Sequence, residues 1–226
     1  MVDVTHKKKR YSRHISIVLL LVVASVIANP PAISEKLLRQ VSDLYGRSAR
    51  ERLLDWQALM DSHDTDTEEN KLRLVNDFFN GMRFVSDIDH WGKEDYWATP
   101  VEFLASKGGD CEDYSIAKYY TLKQMGVPIE RMRITYVKAL ELNQAHMVLT
   151  YYSTPDSIPL VLDNLKSKIL PATERSDLLP VYSFNAEGLW LAKSRTEGLK
   201  VGKAKRVGLW DDLVMRINTE MVNKSK

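Results

Sequence analysis

Apolar positions follow a helical period over the first half of this chain and a period of two over much of the second. Leu37, Leu38, Val41, Leu44 and Tyr45 keep helical spacing up to Gly46, and Leu53, Leu54, Trp56, Leu59 and Met60 predict a second helix. The stretch DSHDTDTEEN (61–70) is a polar break, with Asp66 three residues before Glu69 as a cap signal. Leu72, Leu74, Val75, Phe78 and Phe79 predict a third helix, stopped by Gly81. DIDHWGKEDYW (87–97) has no period and reads as an irregular aromatic loop. A short helix then opens with Thr99 as N-cap, Pro100 at the first position and Glu102 at the third, and Gly108 and Gly109 end it. Another begins at once, with Asp110 as N-cap and Asp113 at N3, and runs until Gly126 and Pro128.

After Pro128 the pattern changes. MRITYVKAL (132–140), AHMVLTYY (145–152) and IPLVLDNL (158–165) are β-rich runs with short connections, which predict neighbouring antiparallel strands. VYSF (181–184) and LWLA (189–192) are further strand candidates, and Leu209 to Met221 reads as a closing helix. Helices first and a meander later predict an α+β domain.

Composition narrows the class. The chain has 226 residues, 44% of them hydrophobic, 10 Gly, 8 Pro and one Cys, which excludes a collagen-like, wholly disordered or disulfide-stapled protein. Residues 1–28 read as an export signal. Lys7, Lys8, Lys9, Arg10 and Arg13 precede the apolar run Ile15 to Ile27, and Val26 and Ala28 supply small residues for signal peptidase. That run has 13 residues, against roughly 20 for a spanning helix, so removal rather than retention as an anchor is expected. The segment carries five of 32 basic and one of 30 acidic residues, leaving 27 against 29. A slightly acidic mature chain gives no support for nucleic-acid binding. Its one basic cluster, KVGKAKR (200–206), reads as a solvated turn.

An exported chain with a single cysteine is unusual, because its compartment favours paired thiols. Cys111 is expected at the first turn of a helix, where the dipole and free N–H groups favour a thiolate. Gly108 and Gly109 before it would let a substrate backbone come close. A nucleophilic thiol needs a rigidly held base. His146 lies in a predicted strand and is the first choice, with His90 in reserve. The imidazole then needs an orienting acceptor, and Asp163, closing the following strand, lies beside His146 if the strands pair as a meander; Asn164 is the neighbouring alternative.

Asp110, Glu112 and Asp113 crowd the thiol with carboxylates, which should hinder its ionisation. On these residues alone two readings stand: the acids cap the helix, or they also hold a hard divalent cation such as Ca²⁺. Asp64, Asp66 and Glu68 form a rival acidic group, but the turn glycine and distal glutamate of a calcium loop are missing, and a solvated turn is the simpler reading.

GGDCEDYSIAKYYTLKQMGVP, followed 35 residues after its cysteine by AHMVLTYY and 17 further on by LDNL, resembles the bacterial transglutaminase-like cysteine proteinases. The likeness covers roughly residues 85–195, and weakly the helices before it. It implies a papain/transglutaminase-like core (85–226), with the N-terminal helical part (29–84) packed on it as one compact unit. It also implies a catalytic Cys111–His146–Asp163 triad and calcium held by Asp110 and Glu112, with Asp113 next. The implied substrate is the N-terminal region of a large cell-surface adhesin, cut at a small-residue (Ala-Ala) motif to promote biofilm dispersal. The implied regulator is the periplasmic domain of an inner-membrane cyclic-di-GMP receptor, and the implied location is the periplasm. Two alternatives share the same residues: a transglutaminase or amidase, in which the acyl acceptor differs, and a non-catalytic calcium-binding module that docks on a receptor.

Overall fold

The computed structural model describes residues 32–63, 65–194, 198–202 and 208–222. The export signal, Asp64 and most of the basic cluster lie outside the described residues. No described helix is long and apolar enough to cross a membrane.

Two antiparallel helices, α1 (Glu35–Tyr45) and α2 (Arg47–Ser62), open the chain. α2 meets a later helix through Arg52, whose guanidinium donates to the Leu104 and Ala105 carbonyls at 2.6 and 2.7 Å. Such carbonyls at a helix end otherwise lack partners. α3 (Glu68–Asn80) is capped by Thr67, which accepts from the Asn70 N–H, rather than by the expected Asp66. Asp66 is instead engaged by His63 and by the Asn70 side chain. The aromatic loop is partly helical: Ser86 accepts from the Asp89 N–H and nucleates a five-residue turn, α4 (Asp87–Trp91). α5 (Pro100–Ser106) carries the expected capping box between Thr99 and Glu102. Between these pieces runs a short parallel pair, β1 (Arg83–Phe84) with β2 (Gly108–Gly109).

α6 (Cys111–Gln124) is the central helix, with residues buried around most of its circumference. Its buried polar groups are matched. Thr121 accepts from the Trp56 indole at 2.8 Å, and the Lys118 ammonium donates to Asn76 and Asn80 at 2.9 and 2.7 Å. Such pairing is what allows a lysine into a core.

The sheet is antiparallel and seven-stranded, in the order β6-β5-β4-β3-β7-β8-β9. Its strands are β3 (Met132–Ala139), β4 (Gln144–Tyr151), β5 (Leu160–Leu162), β6 (Leu170–Pro171), β7 (Leu178–Asn185), β8 (Gly188–Ala192) and β9 (Gly198–Gly202). β3, β4 and β5 are neighbours, as expected. One face presents Ile134, Met147, Leu149, Tyr151 and Phe184 to a core shared with Leu38, Trp56, Phe79, Phe103 and Ile116 of the helices. The other face carries a smaller cluster of Val137, Val148, Val161, Ala172 and Leu178. α7 (Gly208–Val222) closes the core through Trp210, whose ring meets Tyr119 and Phe184. The architecture is mixed α and antiparallel β, with a cysteine at a helix N-terminus packed on the sheet.

Candidate active site

Cys111 is the first residue inside α6, behind an Asp110–Asp113 capping box. The turn into the helix depends on two glycines. A Cβ on Gly108 would stand 2.3 Å from the Arg83 carbonyl oxygen, and one on Gly109 would stand 2.1 Å from Asp113 Oδ2. The space in the Cβ direction of both glycines is taken by the protein's own β1 and by Asp113. The glycines serve the thiol by letting β1 and the capping acid close in behind it.

At the sheet, the Met147 backbone N–H is directed toward the Cys111 sulfur and favours its thiolate form. That contact arises because β5 ends early. Its last residue, Leu162, pairs with Leu149, so the β4 edge at Met147 lacks a β5 partner and is open to the sulfur. His146 is the preceding residue on the same strand and is 2% exposed. Its Nε2 lies 2.8 Å from Asp163 Oδ1, which leaves Nδ1 as the nitrogen able to exchange a proton with a neighbour.

Asp163 follows β5 directly and is closely held. Oδ1 also accepts from the Leu165 N–H at 3.0 Å, Oδ2 accepts from Arg175 at 2.6 Å, and the backbone carbonyl accepts from Asn80 at 2.8 Å. Burial alone would raise its pKa. The hydrogen bond and charge of His146, the Leu165 N–H and the Arg175 hydrogen bond outweigh burial and hold it below the usual carboxylate value. Arg175 is 1% exposed and grips Asp177 with Nε and Nη2 at 3.0 and 2.9 Å, and Lys166 completes the chain at 3.0 Å.

The other flank of the thiol is acidic. Cys111 Sγ donates to Glu112 Oε2 at 3.1 Å. One oxygen each from Asp87, Asp110 and Asp113 lie within 4.8 Å of one another, as do oxygens from Asp87, Asp95 and Glu112. Burial pushes Asp110 up to about 8, helped by the neighbouring Glu112 carboxylate, and pushes Asp87 up to about 6. Asp113 is raised well above its usual value by burial, against the Ala98 N–H that it accepts. The thiol is pushed far up as well, first by burial and then by the Glu112 charge, with the Met147 N–H opposing. Two of these acids have a buried oxygen with no hydrogen-bond partner, Asp87 Oδ1 and Asp110 Oδ1. Native interiors rarely leave such atoms alone, and a hard cation is the partner that carboxylate oxygens accept best.

A model of the bacterial transglutaminase-like cysteine proteinases matches residues 48–192. The Legionella pneumophila LapG structure is 48% identical over 83% of this chain and 99% of its own, with a TM-score of 0.71. Its EGTA-treated form is 49% identical over the same shares, with a TM-score of 0.72. Its calcium-bound form is 46% identical over 82% of this chain and 99% of its own, with a TM-score of 0.70. No curated protein matches the chain. The chain belongs to the bacterial transglutaminase-like cysteine proteinase family.

As a member of this family it is a cysteine protease. His146 and Asp163, picked out by residue type and strand order, are paired; the Met147 N–H next to His146 faces the Cys111 thiol; Asp110 and Glu112 lie within 4.8 Å of the sulfur, and Asp113 joins Asp87 and Asp110 behind them. The reserve choices have other neighbours: His90 packs edge-on against Trp91 at 4.6 Å, and Asn164 Oδ1 is buried without a partner. In the rival acidic group, Glu68 is taken by Arg131 at 2.9 Å and by Tyr151, and Asp66 by His63 at 2.9 Å. Trp97 stacks on Phe184 at 5.7 Å, so that aromatic serves the core. Sequence reasoning missed Arg175, Asp87 and Asp95. The alternating acids of DID in the loop were the available signal for Asp87.

Proposed function

We propose that this protease is a calcium-dependent endopeptidase in which Cys111 is the nucleophile, His146 the general base and acid, and Asp163 the orienting carboxylate. The observation that carries the reading is the buried His146–Asp163 pair at 2.8 Å, one residue from the backbone N–H that faces the thiol.

His146 Nδ1 takes the thiol proton, and the thiolate attacks the scissile carbonyl carbon. The carbonyl π pair moves to oxygen, where the Cys111 backbone N–H at the start of α6 donates to the oxyanion. The pair returns to re-form the carbonyl as the C–N bond breaks, and His146 hands its proton to the departing amine. Water then attacks the acyl carbon as His146 takes its proton, the C–S bond breaks, the sulfur recovers that proton as a thiol, and the carboxylic acid product leaves. Through both steps Asp163 fixes the tautomer and plane of the ring and stabilises the imidazolium, while Arg175 keeps Asp163 anionic.

The acids fit a hard cation, because Asp87 Oδ1 and Asp110 Oδ1 are buried without partners. The calcium bound in the LapG relative supports the identity of the ion. Asp110, Glu112 and Asp113 would hold it, with Asp87 and Asp95 added by their proximity. Bound there, Ca²⁺ supplies positive charge that offsets the carboxylates and makes a thiolate among them less costly.

The family resemblance supports the remainder. The substrate is the N-terminal region of a large surface adhesin, whose release promotes biofilm dispersal. The enzyme acts in the periplasm, in keeping with the export-type sequence at residues 1–28. Its regulator is the periplasmic domain of an inner-membrane cyclic-di-GMP receptor. Mass spectrometry of an adhesin N-terminal fragment digested with calcium tests the reading. Two shorter fragments are expected, and none with Cys111→Ala. A crosslinked or deamidated product would move the chemistry to transfer onto another acceptor, and receptor binding without any cleavage would leave only a docking module.

A further inference from the structure

One row of side chains crosses the sheet from the thiol toward the far edge. Met147 pairs with Tyr136, Tyr136 with Tyr182, Tyr182 with Leu191, and Leu191 with Leu199. Met147, Tyr136 and Tyr182 pack toward the helical core, as does Leu189, two residues before Leu191, so the row lies on the face that carries α6. The Tyr136 and Tyr182 rings stack at 5.1 Å with planes 4° apart. Beyond them the row surfaces: Leu191 is 50% exposed and Leu199 52%. Tyr182 lies within electrostatic reach of Asp95 and Glu112, which ties the middle of the row to the acids beside the thiol.

We propose that this row is the floor of the substrate cleft, occupied on one side of the scissile bond by an extended, apolar-rich segment of the polypeptide substrate. The inference rests on the protease mechanism above and adds where the chain lies. Continuity decides the occupant: the row begins at the residue whose backbone N–H faces the sulfur, where the scissile bond must lie, so a second copy of this protein seated on it would block the reaction. Five adjacent strands span about 19 Å, which matches about six residues of extended chain. Two stacked tyrosines followed by exposed leucines suit apolar side chains on alternate substrate positions and select against charge there.

The test is a series of peptides around the cut site, lengthened from two to eight residues on each side in turn. KM is expected to fall with length on one side only and to level off near six residues. In a Leu191→Asp/Leu199→Asp double variant, thermal unfolding checks that the fold persists. There the gain from length should vanish, raising KM for the longest peptide about tenfold. A KM that ignores length, or a variant with the parent's length dependence, overturns the proposal. So does a variant that changes only the oligomeric state, which would give the row to a second copy. Fluorescence polarisation of labelled peptide on Cys111→Ala protein, with and without the two leucine changes, reads the row without turnover. If Cys111→Ala still cleaves, the mechanism falls while this binding measurement still decides the row.

Discussion

Two groups of carboxylates flank the imidazole and the thiol, and they are built on opposite plans. Asp163 is surrounded by donors: His146, the Leu165 N–H and Arg175, with Asn80 on its carbonyl and Lys166 reaching Asp177 behind. Its charge is compensated by the fold itself. At the start of α6, Asp87, Asp95, Asp110, Glu112 and Asp113 crowd together, two oxygens have no partner, and burial raises the pKa of Asp87, Asp110 and Asp113. On the proposed reading, the fold completes one half of the site and a cation completes the other. A group whose charge is already matched can be rigid and permanent, whereas a cluster of like charges makes activity answer to a diffusible ion.

Removing the atom that both regions serve should have the largest effect. Cys111→Ala should abolish cleavage, a loss of several orders of magnitude, with little change in Tm. Next comes the acidic side. A calcium-selective chelator should remove activity and added Ca²⁺ restore it, and Asp110→Ala or Glu112→Ala should each cost about 100-fold even with calcium present. Calorimetric titration with Ca²⁺ should give a weaker Kd for Asp87→Asn by about tenfold, which would establish the ligand absent from the motif. On the compensated side, Arg175→Met should lower kcat about 10- to 100-fold with KM and the calcium requirement unchanged, and Arg175→Lys should recover part of the rate. Because stripping a partner from a buried carboxylate also destabilises by about 3–5 kcal/mol, Asp177→Asn offers a milder version of the same lesion.

A carboxylate outside both regions supplies the smallest effect and a control. Glu220 accepts from the Thr99 hydroxyl at 2.9 Å, and burial raises it from 4.5 to about 7, with Glu102 adding and the Thr99 hydrogen bond and Arg216 opposing. A folded-state pKa above the unfolded one means that its protonation favours the fold. That stability is fully present below pH 4.5 and is lost as pH rises through about 7. Glu220→Gln should therefore match the parent at pH 4.5 and exceed it at pH 8 by about 1 kcal/mol, a few degrees in Tm, with or without Ca²⁺.

What sequence reasoning could find follows from how local each feature is. The α6 cap, the thiol at its first turn and the capping box of α5 are all written within four residues, and each is present. The strand meander was legible by its period, and with it the pairing of His146 and Asp163. The extent of β5 was not: a run expected over 158–165 pairs only over Leu160–Leu162, because Asp163 leaves the ladder to reach His146. Arg175 sits in an irregular turn 12 residues after Asp163, where no period marks it. Asp87 and Asp95 lie in a loop that drew attention for its tryptophans and tyrosine, and they join the thiol only through the fold. β1 and β2 escaped for a different reason, since a strand of two glycines defies β-propensity and exists because Asp113 and β1 need the space.

On the proposed mechanism, the charge of the acidic cluster governs whether Cys111 ionises. The rate of Cys111 alkylation by iodoacetamide, followed by mass spectrometry from pH 5 to 10 with saturating Ca²⁺ and again with EGTA, measures this without any substrate. Calcium should move the profile to lower pH and speed alkylation at neutral pH by at least about tenfold. Superimposable profiles under the two conditions would contradict it.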